Sequence, residues 1–261
     1  MPRALQTISG FFTAGGAGIN VATPSAGDSF NVPSFSLSNE ANIEQLSVNG
    51  ATLDFIRVRS PRLHDANQGL RLQVGGTTRR SLLPWGMDET LYPSDTPIVE
   101  LDATGAGTQG ILMTYGFNDL PGVQPRLASW AEVQSRIVHV SGVQVALVSG
   151  AIGAWGNGVA INANFDNFEA GADYAVLGYT CSVAVTGIAI TGKDTGNLKV
   201  GGPGANDNFE TTNYFITASN ETGRGWIPII AANNKGSTIV QAVDVAAATA
   251  TNVTFLMAQL A

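Results

Sequence analysis

Ile56-Arg57-Val58-Arg59, followed after a loop by Leu70-Arg71-Leu72-Gln73-Val74-Gly75-Gly76, is the stretch on which the fold turns. Both runs alternate apolar with charged or polar side chains. In an extended chain this puts Ile56, Val58, Leu70, Leu72 and Val74 on one face and the arginines on the other. The same pattern returns as Ile188-Ala189-Ile190-Thr191 and Gly196-Asn197-Leu198-Lys199-Val200-Gly201-Gly202. Three further matches keep the order: an apolar-Pro step (Leu83-Pro84; Ile227-Pro228), a strand-like run ending in Asp102 or Asp244, and a closing apolar run (Ile111-Leu112-Met113; Val253-Thr254-Phe255-Leu256-Met257). Length differences fall in the loops. Four ordered matches predict two copies of one β-rich domain.

The 261 residues accommodate two units of about 125 each, each large enough to bury a core without staples. Turn signals at Asn49-Gly50, Pro93-Ser94-Asp95, Gly105-Ala106-Gly107 and Pro121-Gly122 separate short strands, the pattern of a sandwich or barrel. The expected organisation is all-β: a first domain over 1–125, a linker helix over 126–139, and a second domain over 140–261 with a helical insertion near 205–223. Ser129-Trp130-Ala131-Glu132 fits a capping box, and Trp130, Val133 and Ile137 follow at helical spacing. Trp130 is therefore expected to pack between the domains. The insertion reads as a short helix stopped by Gly223. Residues 1–30 are Gly-rich and weakly patterned, and two readings fit them: an arm carrying Phe11 and Phe12, or the first strand of the first domain.

Charged residues make up 13 % of the chain, against about a quarter in ordinary soluble domains. That shortfall points to extensive subunit contacts. The net charge of −7 is spread over both halves and no basic tail is present, so direct nucleic-acid binding is not expected. Six of the ten arginines lie between Arg57 and Arg80. They read either as a solvated strand face paired with acids or as a contact band, since guanidinium forks hold carboxylates well when desolvated. Arg79, Arg80, Phe11 and Phe12 are the candidates for an assembly interface. Cys181 is the single cysteine and sits in an apolar run, where a buried small hydrophobe is expected; the absence of disulfides suits a reducing compartment. No signal-peptide pattern opens the chain, and no apolar run approaches the ~20 residues that span a bilayer.

Reactive chemistry is hard to find. Gly105-Ala106-Gly107-Thr108-Gln109-Gly110 matches a dinucleotide fingerprint in letters, but a strand follows where a helix is needed, so a hairpin turn is expected. Gly201-Gly202-Pro203-Gly204 lacks the Lys-Ser/Thr of a phosphate loop. His64 and His139 stand alone, too few for a zinc site, and no Gly-x-Ser-x-Gly elbow occurs. Asn162, Asn164 and Asp166, with Glu169 and Asp173 downstream, superficially resemble a calcium loop, but Asn167 stands where the sharp-turn glycine belongs. Outward polar positions at the end of a strand explain the same letters. The expectation is no catalytic residue, no metal, no cofactor and no enzyme.

Two tandem Gly-rich β domains joined by a short helix resemble the double jelly-roll major capsid proteins of icosahedral viruses, closest in size to those of compact membrane-containing and related bacteriophages. The resemblance spans nearly the whole chain and rests on architecture and duplication. It implies two eight-stranded jelly rolls, homotrimers forming pseudo-hexagonal capsomers, and a shell in the virion assembled in the host cytoplasm. Copies of the chain are then the partners, with minor capsid proteins and an internal membrane as further ones. The alternative is a tandem β-sandwich carbohydrate-binding, adhesin or tail-spike module, with Trp85, Tyr92, Trp155 and Trp226 as sugar platforms. A β-sandwich hydrolase is a third class.

Overall fold

The computed structural model describes residues 3–32, 41–50, 52–61, 69–74, 79–81, 89–118, 124–164, 166–205 and 211–261. In the first half the alternating runs become β1 (Arg3–Ala14), β2 (Gly18–Val21), β3 (Thr23–Pro24), β4 (Ala41–Asn49), β5 (Leu53–Arg59), β6 (Leu70–Gln73), β7 (Arg79–Ser81), β8 (Glu89–Leu91), β9 (Ile98–Ala103) and β10 (Gly107–Asn118). The second half holds β11 (Leu127–Ala128), β12 (Ile137–Val148), β13 (Val159–Ala160), β14 (Asp173–Cys181), β15 (Val185–Thr191), β16 (Val200–Gly204), β17 (Ile227–Ala231), β18 (Ile239–Val243) and β19 (Ala250–Leu260).

Each half is a two-sheet sandwich. The first pairs β3-β1-β10-β4-β7, with β8 also on β4, against β2-β9-β5-β6. The second pairs β11-β17-β14-β19-β12 against β13-β18-β15-β16. With β3 and β11 set aside, and β7 and β8 counted as one, each half has eight strands joined in the orders 1-8-3-6 and 2-7-4-5. The fold is all-β, two tandem jelly rolls joined by a short helix. The repeated sequence blocks occupy equivalent places: Ile56 lies opposite Leu72 across β5–β6, and Ile190 opposite Val200 across β15–β16. The runs leading to Asp102 and Asp244 form β9 and β18, and the closing runs form β10 and β19. Leu83-Pro84 lies outside the described residues. The glycine-rich 105–110 stretch carries the chain from β9 in one sheet to β10 in the other, so a strand does follow it, but it is a crossover between the sheets and not the hairpin turn expected.

Two apolar cores follow. Ile8, Ile43, Leu46, Ile56, Leu101 and Met113 fill the first; Val145, Ile188, Ile190, Val240, Phe255 and Trp226 fill the second. Each such side chain contributes about 1.5–3 kcal/mol on burial. Cys181 belongs to the second core. Tyr115 donates from its hydroxyl to the Phe30 carbonyl at 2.6 Å, and burial pushes its pKa up.

Three further expectations need correction. Arg3–Ala14 pairs residue for residue with Gly107–Asn118, so the amino-terminal stretch is a strand of the first sandwich and not an arm. In the linker, Ser129 and Glu132 form a capping box at α1 (Trp130–Val133), but a 3₁₀ turn over Gln134–Arg136 ends the helix and Ile137 already starts β12. Ile137, Val138 and His139 thus belong to the second sandwich, because a β-branched run favours an extended chain. Third, Trp130 packs against the second core, with its backbone N–H donated to Ser219 at 2.8 Å. Ser219 lies on α2 (Tyr214–Thr222), which stops at Gly223 in the left-handed region, φ 65°.

Candidate assembly surface

β1, β4 and β10 send alternate side chains into the first core, yet the intervening positions are buried as well. Leu5, Thr7, Ser9, Gln45, Ser47, Leu112 and Thr114 all face away from that core and are all covered. The cover is the second sheet of the second sandwich, whose β15 and β16 lie across β1, β4 and β10. Thr7 donates its backbone N–H to the Lys199 carbonyl at 2.7 Å, and Gly201 donates back to the Thr7 hydroxyl at 3.1 Å. Leu112 sits over Gly187, where an added Cβ would lie 2.6 Å from the leucine. Leu5 passes into the second core, while Leu198 packs on the first. A register shift between Thr114 and Tyr115 marks a β-bulge in β4 at Glu44, and it turns both Glu44 and Gln45 toward the seam. Gln45 accepts from the Tyr214 hydroxyl of α2.

Buried carboxylates brace this seam. Asp28, almost wholly buried, accepts from Lys199 at 2.5 Å, from the Trp155 indole at 2.7 Å and from the Ser9 backbone at 2.8 Å. Lys199 also lies 4.9 Å from the Trp155 ring centroid. Glu44, equally buried, is held by Arg3 from its own sandwich and by Arg224 from the other, the latter at 3.5 Å. Asn49 donates to Thr186 at 2.9 Å and to Asp244 at 3.3 Å. Charges this deep persist only when paired and hydrogen-bonded.

The seam sets a first-sheet face of one sandwich on a second-sheet face of the other. One face of each kind remains outside. On the second sandwich, β12 and β19 show Gln144 opposite Thr254, Ala146 opposite Asn252 and Gly142 opposite Leu256, exposed or half-buried and all uncharged. A hollow of about 110 Å³ floored by Gly142 dents that face. On the first sandwich, β2 and β9 expose Ile19, Val21 and Ile98. Beside them Glu100 holds Arg59 at 2.6 Å and Arg57 at 2.5 Å, and Arg71 stacks 3.9 Å from the Phe55 ring centroid. Burial alone would raise the Glu100 pKa; the hydrogen bonds and charges of Arg59 and Arg57 outweigh it and hold the carboxyl below its ordinary value.

The residues singled out in the sequence do not gather in one place. Phe12 packs on the first core, and Phe11 lies against Gly153 of the second sandwich. Arg79 and Arg80 form edge strand β7, and their side chains lie outside the described part. Asp166 is taken by Lys235 at 2.5 Å and bonded by Asn162 at 3.3 Å, so an ammonium occupies the place proposed for calcium, while Asn164 is exposed. Lys235 leads the causes that lower the Asp166 pKa. Among the described residues no three His, Cys, Asp or Glu side chains converge as metal ligands. His139 is exposed on β12, and His64 and Trp85 lie outside the described residues. Trp226 is fully buried and Trp155 is engaged at Asp28, so of the three proposed sugar platforms among the described residues Tyr92 is the exposed ring. The seam residues Asp28, Glu44, Thr7 and Gln45 were missed. Their one visible signal is the low charge of β1, β4 and β10.

No protein-family model matches the chain, and no curated protein matches it in sequence. Solved structures similar to it include a chain of the acidic stable capsid of Helicobacter pylori bacteriophage KHP30, at 16% identity over 45% of this chain and 89% of that one, TM-score 0.28. The major capsid protein P2 of bacteriophage PM2 aligns at 8% identity over 99% of this chain and 98% of that one, TM-score 0.24. A chain of Sulfolobus Turreted Icosahedral Virus aligns at 9% identity over 99% and 90%, TM-score 0.21. Likeness at that level fixes neither the fold nor a role.

Proposed function

We propose that the chain is a major capsid protein: a non-catalytic shell subunit that forms homotrimeric, pseudo-hexagonal capsomers tiling an icosahedral virion. The observation that carries this is the asymmetry of the internal seam. It joins two different faces, and heterologous contacts of that sort extend to further copies until a ring closes or a filament grows. The uncharged β12–β19 face of one chain has the chemistry of the buried β1–β10–β4 face. It is the natural partner for the β2–β9–β5 face of the next chain, where Ile19, Val21 and Ile98 stand beside arginines already neutralised by Glu100. Three chains present six sandwiches in one ring. Arg79 and Arg80, on an edge strand, remain contact candidates at its rim. Light scattering and electron microscopy of the purified chain test this: a three-chain mass and six-lobed rings are expected. A monomer at every concentration, or a glycan-binding dimer, would overturn it. Thr254→Asp on the outward face, at a side chain that does not belong to the second core, should abolish the rings while the subunit stays folded.

A further inference from the structure

Every sheet edge in the described structure is short except one. Strands β2, β3, β6, β7, β8, β11, β13 and β16 are each five residues or fewer. β12 runs for 12 residues, Ile137–Val148, and pairs on one side alone, with β19; only at its end does Gly156 close against the Val148 carbonyl. Its counterpart β1 is met at Gly10 and Phe11 by β3, at the Ser9 carbonyl by the Ser25 N–H at 2.8 Å, and at the Thr7 N–H by the Lys199 carbonyl at 2.7 Å. Long edges are ordinarily blunted by Lys, Pro, a bulge or a covering segment, because their free N–H and C=O groups template strand addition. From Val140 to Val148 β12 carries neither charge nor proline, nor a register break, and it exposes Val138 by 65%, Val140 by 44% and Val148 by 50%.

We propose that β12 pairs antiparallel with β12 of a second copy across a two-fold axis, joining the two sheets edge to edge. Side chains opposite each other in such a pair share a face. An axis at Gly142 sets Val138 opposite Ala146 and Val140 opposite Gln144. An axis at Val143 sets Val138 opposite Val148 and Val140 opposite Ala146. Both registers keep the outward row free of like charges, so the strand is complementary to itself. The other described edges are too short to satisfy its backbone, which makes a second copy the fitting occupant. This contact uses the edge of the sheet and not its face. It links one ring to another, and it stands even if rings do not form.

Cysteine cross-linking on the full chain tests it. A Cβ at Gly142 meets Thr254 at 3.4 Å, ordinary contact, so Gly142→Cys is tolerated. Under mild oxidation Gly142→Cys should give a disulfide-linked dimer for the first register, and Gly142→Cys with Gln144→Cys should do so for the second. Either should exceed the exposed loop control Val183→Cys by roughly tenfold or more, since a disulfide needs Cα atoms about 4.4–6.8 Å apart. A dimer already given by Gly142→Cys alone names the first register, and one that appears only when Gln144→Cys is added names the second. Control-level linkage in both variants overturns the pairing. A mass that is not a multiple of three overturns the ring and leaves this result intact.

Discussion

Leu5→Ala separates a sandwich that stands alone from one completed by its neighbour. Leu5 belongs by sequence to β1 of the first sandwich but is fully buried in the second core. The substitution removes three carbons, about 2.4 kcal/mol at ~0.8 per group. A residual cavity brings the loss into the range of about 2–5 kcal/mol. Ile8→Ala, on the same strand but facing the first core, should cost a similar amount. What differs is where the loss appears. Hydrogen exchange should quicken in β14 and β19 for Leu5→Ala, and in β4 and β10 for Ile8→Ala. If Leu5→Ala leaves residues 137–260 as protected as before, the seam does not complete the second core and the account of two interlocked sandwiches fails.

Asp28→Ala strands Lys199 and the Trp155 indole, and should lower the unfolding free energy by about 3–5 kcal/mol; adding Lys199→Met should recover part of the loss, and simple additivity would count against the clasp. The Glu100 pKa is depressed, so the stability given by its pairing with Arg57 and Arg59 is complete above the ordinary carboxylate pKa and fades as pH falls through the lower folded value. The stability gap between wild type and Glu100→Gln should therefore close in acid, and a gap that persists there refutes the pairing. Calcium or a chelator should leave the melting temperature unchanged, because Lys235 already neutralises Asp166; a clear rise with calcium would restore the metal reading. Trp130→Ala should quicken exchange in α2 and in the second core, and a change confined to the seam would return Trp130 to the role first expected of it.

The two cores were legible because they obey a period of two: Ile56/Val58 and Ile188/Ile190 alternate with polar neighbours, and their partners follow from the repeat. The seam was not legible, for the same reason. Gln45 and Ser47 occupy the polar phase of that alternation, and Thr7 and Ser9 lie in a stretch too weakly patterned to assign a face, yet all four are covered. Nothing local distinguishes a threonine facing water from one facing a backbone. Asp28 and Lys199 stand 171 positions apart, and Glu44 reaches the seam through a bulge that shifts its strand by one residue. Burial on both faces of one sheet is a tertiary fact. Only the scarcity of charge hinted at it.

That scarcity has a second implication. If low charge served the internal seam alone, it would be confined to β1, β4 and β10 and to the strands that cover them. The outward face of the second sandwich would then carry the lysines and glutamates of an ordinary solvated sheet. It does not: Gly142, Gln144, Ala146 and Val148 on β12, with Asn252, Thr254 and Leu256 on β19, carry no charge at all, fewer even than the buried face, where Glu44 is held by Arg3 and Arg224. The first sandwich's outward sheet does carry charge, but Glu100 ties up Arg57 and Arg59, and Arg71 lies flat on Phe55. A guanidinium already paired loses little more when a neighbouring surface excludes water. The two exposed faces are thus unlike in composition and alike in what they tolerate, which is desolvation. That shared tolerance, and not the likeness of any one residue, is what the proposed ring rests on.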